Sequence, residues 1–129
     1  MFPTQDLSAN LTDFEIVRND LKILQNKEGR DSFQKQLKIL RDYLESDESQ
    51  KENRSIQCGI FFYNQYICVN IGNLKNTLGK CKSTVNNSFQ QMGYSSLKSK
   101  SSANMILYEA MPSLKNWGNV KKWSVRSKS

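Results

Sequence analysis

The chain of 129 residues contains no histidine, and this absence bears first on catalysis. Histidine is the commonest general base and the usual partner of a serine or cysteine nucleophile. Carboxylates, the other common acid–base groups, are nearly missing from residues 56–129, where Glu109 is the single acid. That part of the chain offers no carboxylate pair, so we expect a protein that is not an enzyme and needs no cofactor.

Cysteine is scarce as well. The three cysteines, Cys58, Cys68 and Cys81, are odd in number, form no Cys-x-x-Cys pair and have no histidine to complete a zinc site. Buried thiols in a reducing compartment are the simpler interpretation. No apolar run approaches the roughly 20 residues that span a bilayer, and the N-terminus lacks the basic start and apolar stretch of a signal peptide. We expect a soluble, intracellular protein with no membrane partner.

What the chain has in excess is positive charge, and that charge is unevenly distributed. Residues 1–55 carry nine Lys and Arg against eleven Asp and Glu, a balance of −2. Residues 56–129 carry ten Lys and Arg against one acid, a balance of +9. A merely solvated surface usually mixes both signs, whereas a field of one sign attracts a polyanion. The second part of the chain, here called the basic part, therefore predicts a nucleic-acid partner.

Hydrophobic periodicity predicts two amphipathic helices in the first part of the chain. A capping box at 12–15 opens the first helix, and Gly29 is expected to end it. The second helix is expected to start at Asp31, and its buried stripe consists of Phe33, Leu37, Leu40 and Leu44. Residues 47–55 contain no apolar side chain and predict a loop. A helical hairpin of this size buries too little to stand alone, so we expect it to pack on the basic part.

The basic part is expected to combine a small sheet with three helices. Its predicted strands are residues 56–63, 66–69 and 121–126. Asn70 is expected to cap a helix that ends at Gly79, and a second helix follows over residues 82–92, with Cys81, Val85, Phe89 and Met92 turned inward. Residues 95–102 predict a flexible, basic loop, and residues 103–111 a buried helix. The predicted fold class is α+β and mainly helical: one domain over residues 1–129, a variant winged helix-turn-helix with a small β-sheet.

The second helix of this pair carries the functional signal. Its solvent face consists of amides, hydroxyls and lysines rather than the Glu–Lys pairs of an ordinary surface helix. Such groups can bond to base edges, while lysine reaches guanine or phosphate. The residues predicted to contact DNA from this helix and the turn before it are Lys80, Lys82, Ser83, Thr84, Asn86, Asn87, Gln90 and Gln91. Phosphate contacts are predicted for Lys98 and Lys100 in the loop, and for Lys121, Lys122 and Arg126 in the last strand, whose outer face is expected to carry Lys122, Ser124 and Arg126.

From Gly59 onward the chain resembles the initiator-binding domain of trichomonad initiator-binding proteins. The stretches that carry the resemblance are Gly59-Ile60-Phe61-Phe62, Tyr66-Ile67-Cys68-Val69-Asn70, Gly79-Lys80-Cys81-Lys82-Ser83, Phe89-Gln90-Gln91-Met92-Gly93-Tyr94 and Lys122-Trp123-Ser124-Val125-Arg126. The resemblance implies a variant winged helix that recognises the initiator element at the transcription start site, in the nucleus. It further implies a longer protein whose C-terminal domain contacts RNA polymerase II, so that this chain is a fragment.

The sequence thus predicts sequence-specific binding to double-stranded promoter DNA through a recognition helix in the major groove. Two alternatives stay open. A winged helix can instead present its basic surface to an acidic protein partner, and specific duplex binding in the presence of competitor DNA separates the two functions. An RNA-binding module is the other alternative, and higher affinity for an RNA hairpin than for duplex DNA favours it, since the major groove of A-form RNA is too narrow for a helix.

Overall fold

A computed structural model describes residues 13–25, 30–114 and 120–128. These residues form a mainly helical α+β fold, in which helices pack on a small antiparallel sheet. The helices are α1 (Asp13–Gln25), α2 (Arg30–Glu45), α3 (Lys51–Cys58), α4 (Ile71–Leu78), α5 (Lys82–Gln91) and α6 (Lys100–Ala110), with 3-10 turns at Glu48–Gln50 and Val120–Lys122. The strands are β1 (Ile60–Tyr63), β2 (Tyr66–Val69), β3 (Tyr94–Ser96) and β4 (Ser124–Lys128). In the described part of the chain, each helix is too short or too polar to cross a membrane.

The two predicted N-terminal helices are present as α1 and α2. All four residues of the predicted stripe of α2 are buried, namely Phe33, Leu37, Leu40 and Leu44. They pack with Leu21 of α1 in one hydrophobic cluster. The predicted capping residue Thr12 and the predicted stop at Gly29 lie outside the described residues.

The predicted loop at residues 47–55 is wrong, because this segment is helical. Asp47 caps the 3-10 turn by accepting a hydrogen bond from the Ser49 amide (3.1 Å), and α3 follows directly. The helix buries Ser55, whose hydroxyl donates to a main-chain carbonyl of the same helix, and Cys58. Since the buried residues of α3 are Ser55 and Cys58, and its one aliphatic side chain, Ile56, is half-buried, hydrophobic periodicity gave no signal. The predicted strand at 56–63 was accordingly too long: its first three residues belong to α3.

The sheet has the strand order β1-β2-β4-β3, and every neighbouring pair is antiparallel. A two-residue turn joins β1 to β2, with Asn64 in the left-handed region at φ 54°. Side chains alternate between the two faces of the sheet, and both faces are covered. Ile67 belongs to the cluster formed with α1, α2, α4 and α5 on one face, while its neighbour Cys68 belongs to the cluster that contains α6 on the other. We call these the α5 face and the α6 face.

The helix pair α4–α5 forms as predicted. The Asn70 side chain accepts a hydrogen bond from the Asn73 amide at 3.2 Å and so caps α4. Gly79 ends that helix in the left-handed region at φ 70°, which turns the chain into α5. After α5 the chain turns at Gly93 and runs back along the helix as β3.

The C-terminal assignments need two corrections. Residues 95–102 are not a flexible loop: the first two residues belong to β3, and Ser99 caps α6 by accepting a hydrogen bond from the Ser102 amide at 3.3 Å. The last strand starts at Ser124, later than predicted, because Lys121 and Lys122 form a 3-10 turn instead. The predicted helix at 103–111 is confirmed as α6, which begins three residues earlier, at Lys100.

Candidate nucleic-acid interface

Helix α5 is anchored to the rest of the fold through Phe89. The ring of Phe89 is fully buried and meets Phe33 of α2 edge to face, with 5.1 Å between centroids. A second edge-to-face contact, at 6.3 Å, joins it to Tyr94 of β3. Val85 is buried one turn earlier. Aromatic pairs of this kind contribute about 0.5–1.5 kcal/mol beyond their buried area, so α5 is fixed in rotation and its opposite side faces solvent.

That outer side carries the predicted polar residues. Those exposed to solvent are Lys82, Ser83, Thr84, Asn87, Gln90 and Gln91. Among the described residues, the amides of Asn87 and Gln90 have no hydrogen-bond partner, so both are available to an external ligand. Asn86 differs, because it is half-buried and its side-chain oxygen is already engaged.

The N-terminus of α5 holds a thiol that was predicted to be buried and is exposed. Cys81 is the N-cap residue and has an extended backbone (φ −86°, ψ 161°). It therefore lies outside the helix, and the helical spacing of residues 81, 85 and 89, from which it was predicted to face inward, does not apply to it. Its Sγ lies 3.3 Å from Ser83 Oγ and 3.0 Å from Thr84 Oγ1. These hydrogen bonds lower the pKa of Cys81 to about 7. Next to it, burial lowers the pKa of the half-buried Lys80.

The other two thiols are buried, as predicted. Cys58 and Cys68 are fully shielded from solvent on opposite faces of the sheet. Burial raises the pKa of each to about 12.

Arg126 was predicted on an outward-facing strand face, and this is wrong. The strand alternates as expected, but β4 lies between β2 and β3 with helices over both faces, so neither face is outward. Arg126 is 9 % exposed, and its guanidinium carbon lies 5.3 Å from the centroid of the Phe89 ring. Its Nη2 donates a hydrogen bond to Asn86 Oδ1 at 3.0 Å, and its Nε donates to Ser124 Oγ at 3.3 Å. Burial lowers the pKa of this guanidinium.

A polar groove of about 360 Å³ separates α5 from the edge strand β3. Its lining residues are Asn86, Gln90, Tyr94, Ser95, Ser96 and Arg126. The two serines were not among the predicted site residues. A three-residue strand is too short for an alternating pattern to be visible in the sequence, so no signal separated them from the predicted loop.

A second groove gathers lysines that were predicted as separate phosphate contacts. Lys98, Lys100 and Lys121 are exposed around a cavity of about 600 Å³, whose lining includes Trp123 and Val125. These two side chains belong to the α6 face of the sheet. The second groove therefore lies across the sheet from α5, and Lys122 is exposed beside it.

The positive field of these surfaces is not neutralised by ion pairs. In the ranges 13–25, 30–114 and 120–128, every ion pair involves residues 13–54, and none involves a lysine predicted to bind DNA. Glu109 instead accepts a hydrogen bond from the Tyr63 hydroxyl. Over the same ranges no three histidine, cysteine, aspartate or glutamate side chains gather where they could hold a metal ion. Chemically, the site offers hydrogen-bond donors, amides and positive charge.

Comparison with known proteins relates the chain to a family. The model of the transcription-initiator DNA-binding domain, IBD, matches residues 10–129. No curated protein and no solved structure matches the chain significantly.

Proposed function

The chain belongs to the family of transcription-initiator DNA-binding domains, and we propose that it reads an initiator element by placing α5 in the major groove of promoter DNA. Membership of this family makes the chain a DNA-binding domain that acts in transcription, whereas the placement of α5 in the major groove is our inference. The observation that carries this inference is the side of α5 opposite the buried Phe89, which is free of acids and carries the unpaired amides of Asn87 and Gln90. The major groove admits an α-helix and presents a distinct hydrogen-bonding pattern for each base pair.

Base reading falls to the polar residues of α5. Asn87 and Gln90 lie one turn apart on the exposed side, and an amide can pair bidentately with adenine. Ser83 lies at the first turn, where hydroxyls and free helix amides approach the sugar-phosphate backbone or a base edge. Thr84 and Gln91 are exposed at either end of the same side.

Phosphate binding falls to the lysines, which need reach and charge rather than a fixed orientation. Lys80 and Lys82 flank the N-terminus of α5, where the helix dipole also favours an anion. Lys98, Lys100, Lys121 and Lys122 extend the positive surface to the other side of the sheet. Lysine contacts of this kind position a protein on the duplex and make its affinity depend on salt.

Two wider proposals follow from the family resemblance. We propose that the domain acts in the nucleus, where transcription initiates. We also propose that, in a longer protein, a C-terminal domain outside this chain contacts RNA polymerase II. Chromatin association of the full protein, and its co-purification with polymerase after removal of DNA by nuclease, test these two points.

Selection from random duplexes at two salt concentrations tests the proposed function. We expect one enriched motif, and we expect Asn87→Ala to cost about 1–3 kcal/mol and relax the preference at one position of it. Lys122→Ala should weaken all sequences alike and make the salt dependence shallower by about one unit. Lys35→Ala is the matched control, because Lys35 projects from α2 away from its buried stripe and should leave both quantities unchanged.

Three outcomes contradict the proposal. If an RNA hairpin binds more tightly than any duplex, the function of the domain is RNA binding instead. Binding that competitor DNA abolishes for all sequences reduces it to non-specific attraction. An unchanged motif after substitution of the α5 amides shows that another element reads the bases.

A further inference from the structure

We propose that Arg126 is a positioning residue that holds the oxygen of the Asn86 amide on its own side, so that the amide presents its nitrogen, a hydrogen-bond donor, to DNA. The inference rests on the proposed role of α5. It goes further by assigning to one residue, Asn86, a chemical class of base, namely a base with an acceptor in the major groove. It also distinguishes Asn86 from Asn87, which has the same side chain one residue further along the helix.

The geometry leaves the Asn86 amide one orientation. A guanidinium donates hydrogen bonds and accepts none, so the atom of Asn86 that faces Arg126 Nη2 at 3.0 Å must be the carbonyl oxygen. The amide nitrogen then points away from Arg126. Within the described part of the chain this nitrogen has no hydrogen-bond partner, and Asn86 lines the groove between α5 and β3.

Arg126 is itself held in place on several sides. Its guanidinium lies over the Phe89 ring, its Nε donates to Ser124, and its side chain is buried between α5 and the sheet. None of the ion pairs in the described ranges involves it. A buried cation loses solvation and gains from each good acceptor that remains, so release of Asn86 would leave the guanidinium without one of its protein acceptors. The Arg126 guanidinium therefore restrains the Asn86 amide and opposes a flip that would exchange its oxygen and nitrogen.

The consequence concerns which base edge Asn86 can read. Bidentate recognition of adenine requires the amide nitrogen to donate to N7 and the amide oxygen to accept from the N6 amino group. Arg126 takes one of the two acceptor positions of the Asn86 oxygen and holds that oxygen on its own side, so the nitrogen, a donor, is the group that Asn86 presents to the groove. The acceptors available in the major groove are N7 and O6 of guanine, O4 of thymine and N7 of adenine, whereas cytosine presents a donor. We infer that Asn86 selects an acceptor, preferably guanine with two, and is indifferent to the N6 amino group of adenine.

Quantitative binding to a set of duplexes that varies each position singly provides the test. Asn86→Ala first identifies the position that Asn86 reads, as the one where preference flattens. At that position the wild-type chain should favour guanine or thymine over cytosine by about 5- to 10-fold, as expected for one hydrogen bond to a base. Where adenine is placed there, its replacement by purine, which lacks the amino group, should leave the affinity within 2-fold. A loss of about 10-fold on that replacement would overturn the inference.

Two variants separate positioning from plain structural support. In Asn86→Asp the carboxylate still accepts from Arg126 but now presents an acceptor, so preference at the position should move to cytosine, whose amino group donates. Arg126→Met keeps the length of the side chain and removes its donors, so the preference for guanine over adenine at that position should fall. In the Asn86→Ala background Arg126→Met should have no further effect on base preference. Thermal melting followed by circular dichroism shows whether each variant folds. If Arg126→Met does not fold, Asn86→Asp still tests the inference.

The possible outcomes distinguish failure of the proposed function from failure of this inference alone. A wild-type chain that binds no duplex overturns the proposed function and this inference together. Specific duplex binding whose base preference survives unchanged in both Asn86→Asp and Arg126→Met overturns this inference alone.

Discussion

Alkylation of Cys81 should report directly on whether the N-terminus of α5 enters the DNA interface. The thiolate is the nucleophile, and hydrogen bonds from Ser83 and Thr84 lower the pKa of Cys81 to about 7. At pH 7 roughly half of this exposed residue is therefore thiolate. For Cys58 and Cys68, with pKa values of about 12, the fraction is on the order of 10⁻⁵, and both are buried as well. We expect iodoacetamide to modify one cysteine rapidly and the other two only after unfolding.

The pH dependence and the effect of DNA follow from the same values. Below pH 7 the thiolate fraction of Cys81 falls about tenfold per unit, and above pH 8 it is nearly complete, so the alkylation rate should rise and then level off. A bound phosphate near the helix N-terminus disfavours the thiolate by like-charge repulsion and also covers the sulfur. At a duplex concentration ten times the Kd about one tenth of the protein is free, which predicts a rate reduced to roughly one tenth.

The assay is mass spectrometry of the alkylated protein over time, with and without the selected duplex. Cys81→Ser is the matched control, since it replaces the thiol by a hydroxyl of similar size and should abolish the fast phase without abolishing DNA binding. Raising the salt until the complex dissociates should restore the rate. If the duplex shifts the protein in a gel at the same concentration but leaves the alkylation rate of Cys81 unchanged, the N-terminus of α5 is not in the interface and our placement of the helix is wrong.

Three further predictions concern the framework that holds α5. Gly59→Ala should destabilise the fold by more than about 3 kcal/mol in urea unfolding, because its φ of +85° is strained for alanine and the new Cβ would lie 2.5 Å from the Leu74 nitrogen and 2.7 Å from the Asn70 oxygen. Gly93→Ala has the same strain (φ +88°) but meets only a flexible lysine side chain at 3.8 Å, so it should cost about 1–2 kcal/mol; equal losses in the two variants would contradict the steric argument. Asn70→Ala removes the cap of α4 and should cost about 1 kcal/mol, with Asn70→Asp restoring most of it, and no loss in the alanine variant would show that the cap is dispensable.

Local chemistry made much of the helical framework predictable. The stripe of α2, the cap at Asn70 and the left-handed stop at Gly79 depend on residues within one or two turns of each other, so the sequence contains the whole signal. The α4–α5 pair and the exposed side of α5 followed from the same rules. The charge difference between the two parts of the chain is likewise a property of composition, which no fold can change.

The errors arose where contacts between distant residues decide the outcome. Helix α3 is polar along most of its length and is stabilised by packing against α2, α4 and β1, so it left no periodic signal. Cys81 follows the apolar spacing of α5 but lies one residue before the helix begins. Arg126 obeyed the predicted alternation, yet whether an alternating face is solvent or core depends on which helices cover the sheet. That information lies in residues 33–89, far from the strand itself.

Arg126 also shows why a sequence indicates phosphate contacts more readily than base contacts. A lysine that binds phosphate needs charge and reach, and both can be counted in a sequence. A side chain that reads a base must instead be held within a narrow range of orientations, and in the proposed interface the buried contacts of Phe89 and Arg126 behind α5 would provide that constraint. Substitutions at exposed lysines should therefore change how tightly the domain binds every duplex, whereas substitutions at these two buried residues should change which duplex it prefers. If the proposed role of α5 is right, the residues that set sequence preference should include Phe89, which is fully buried.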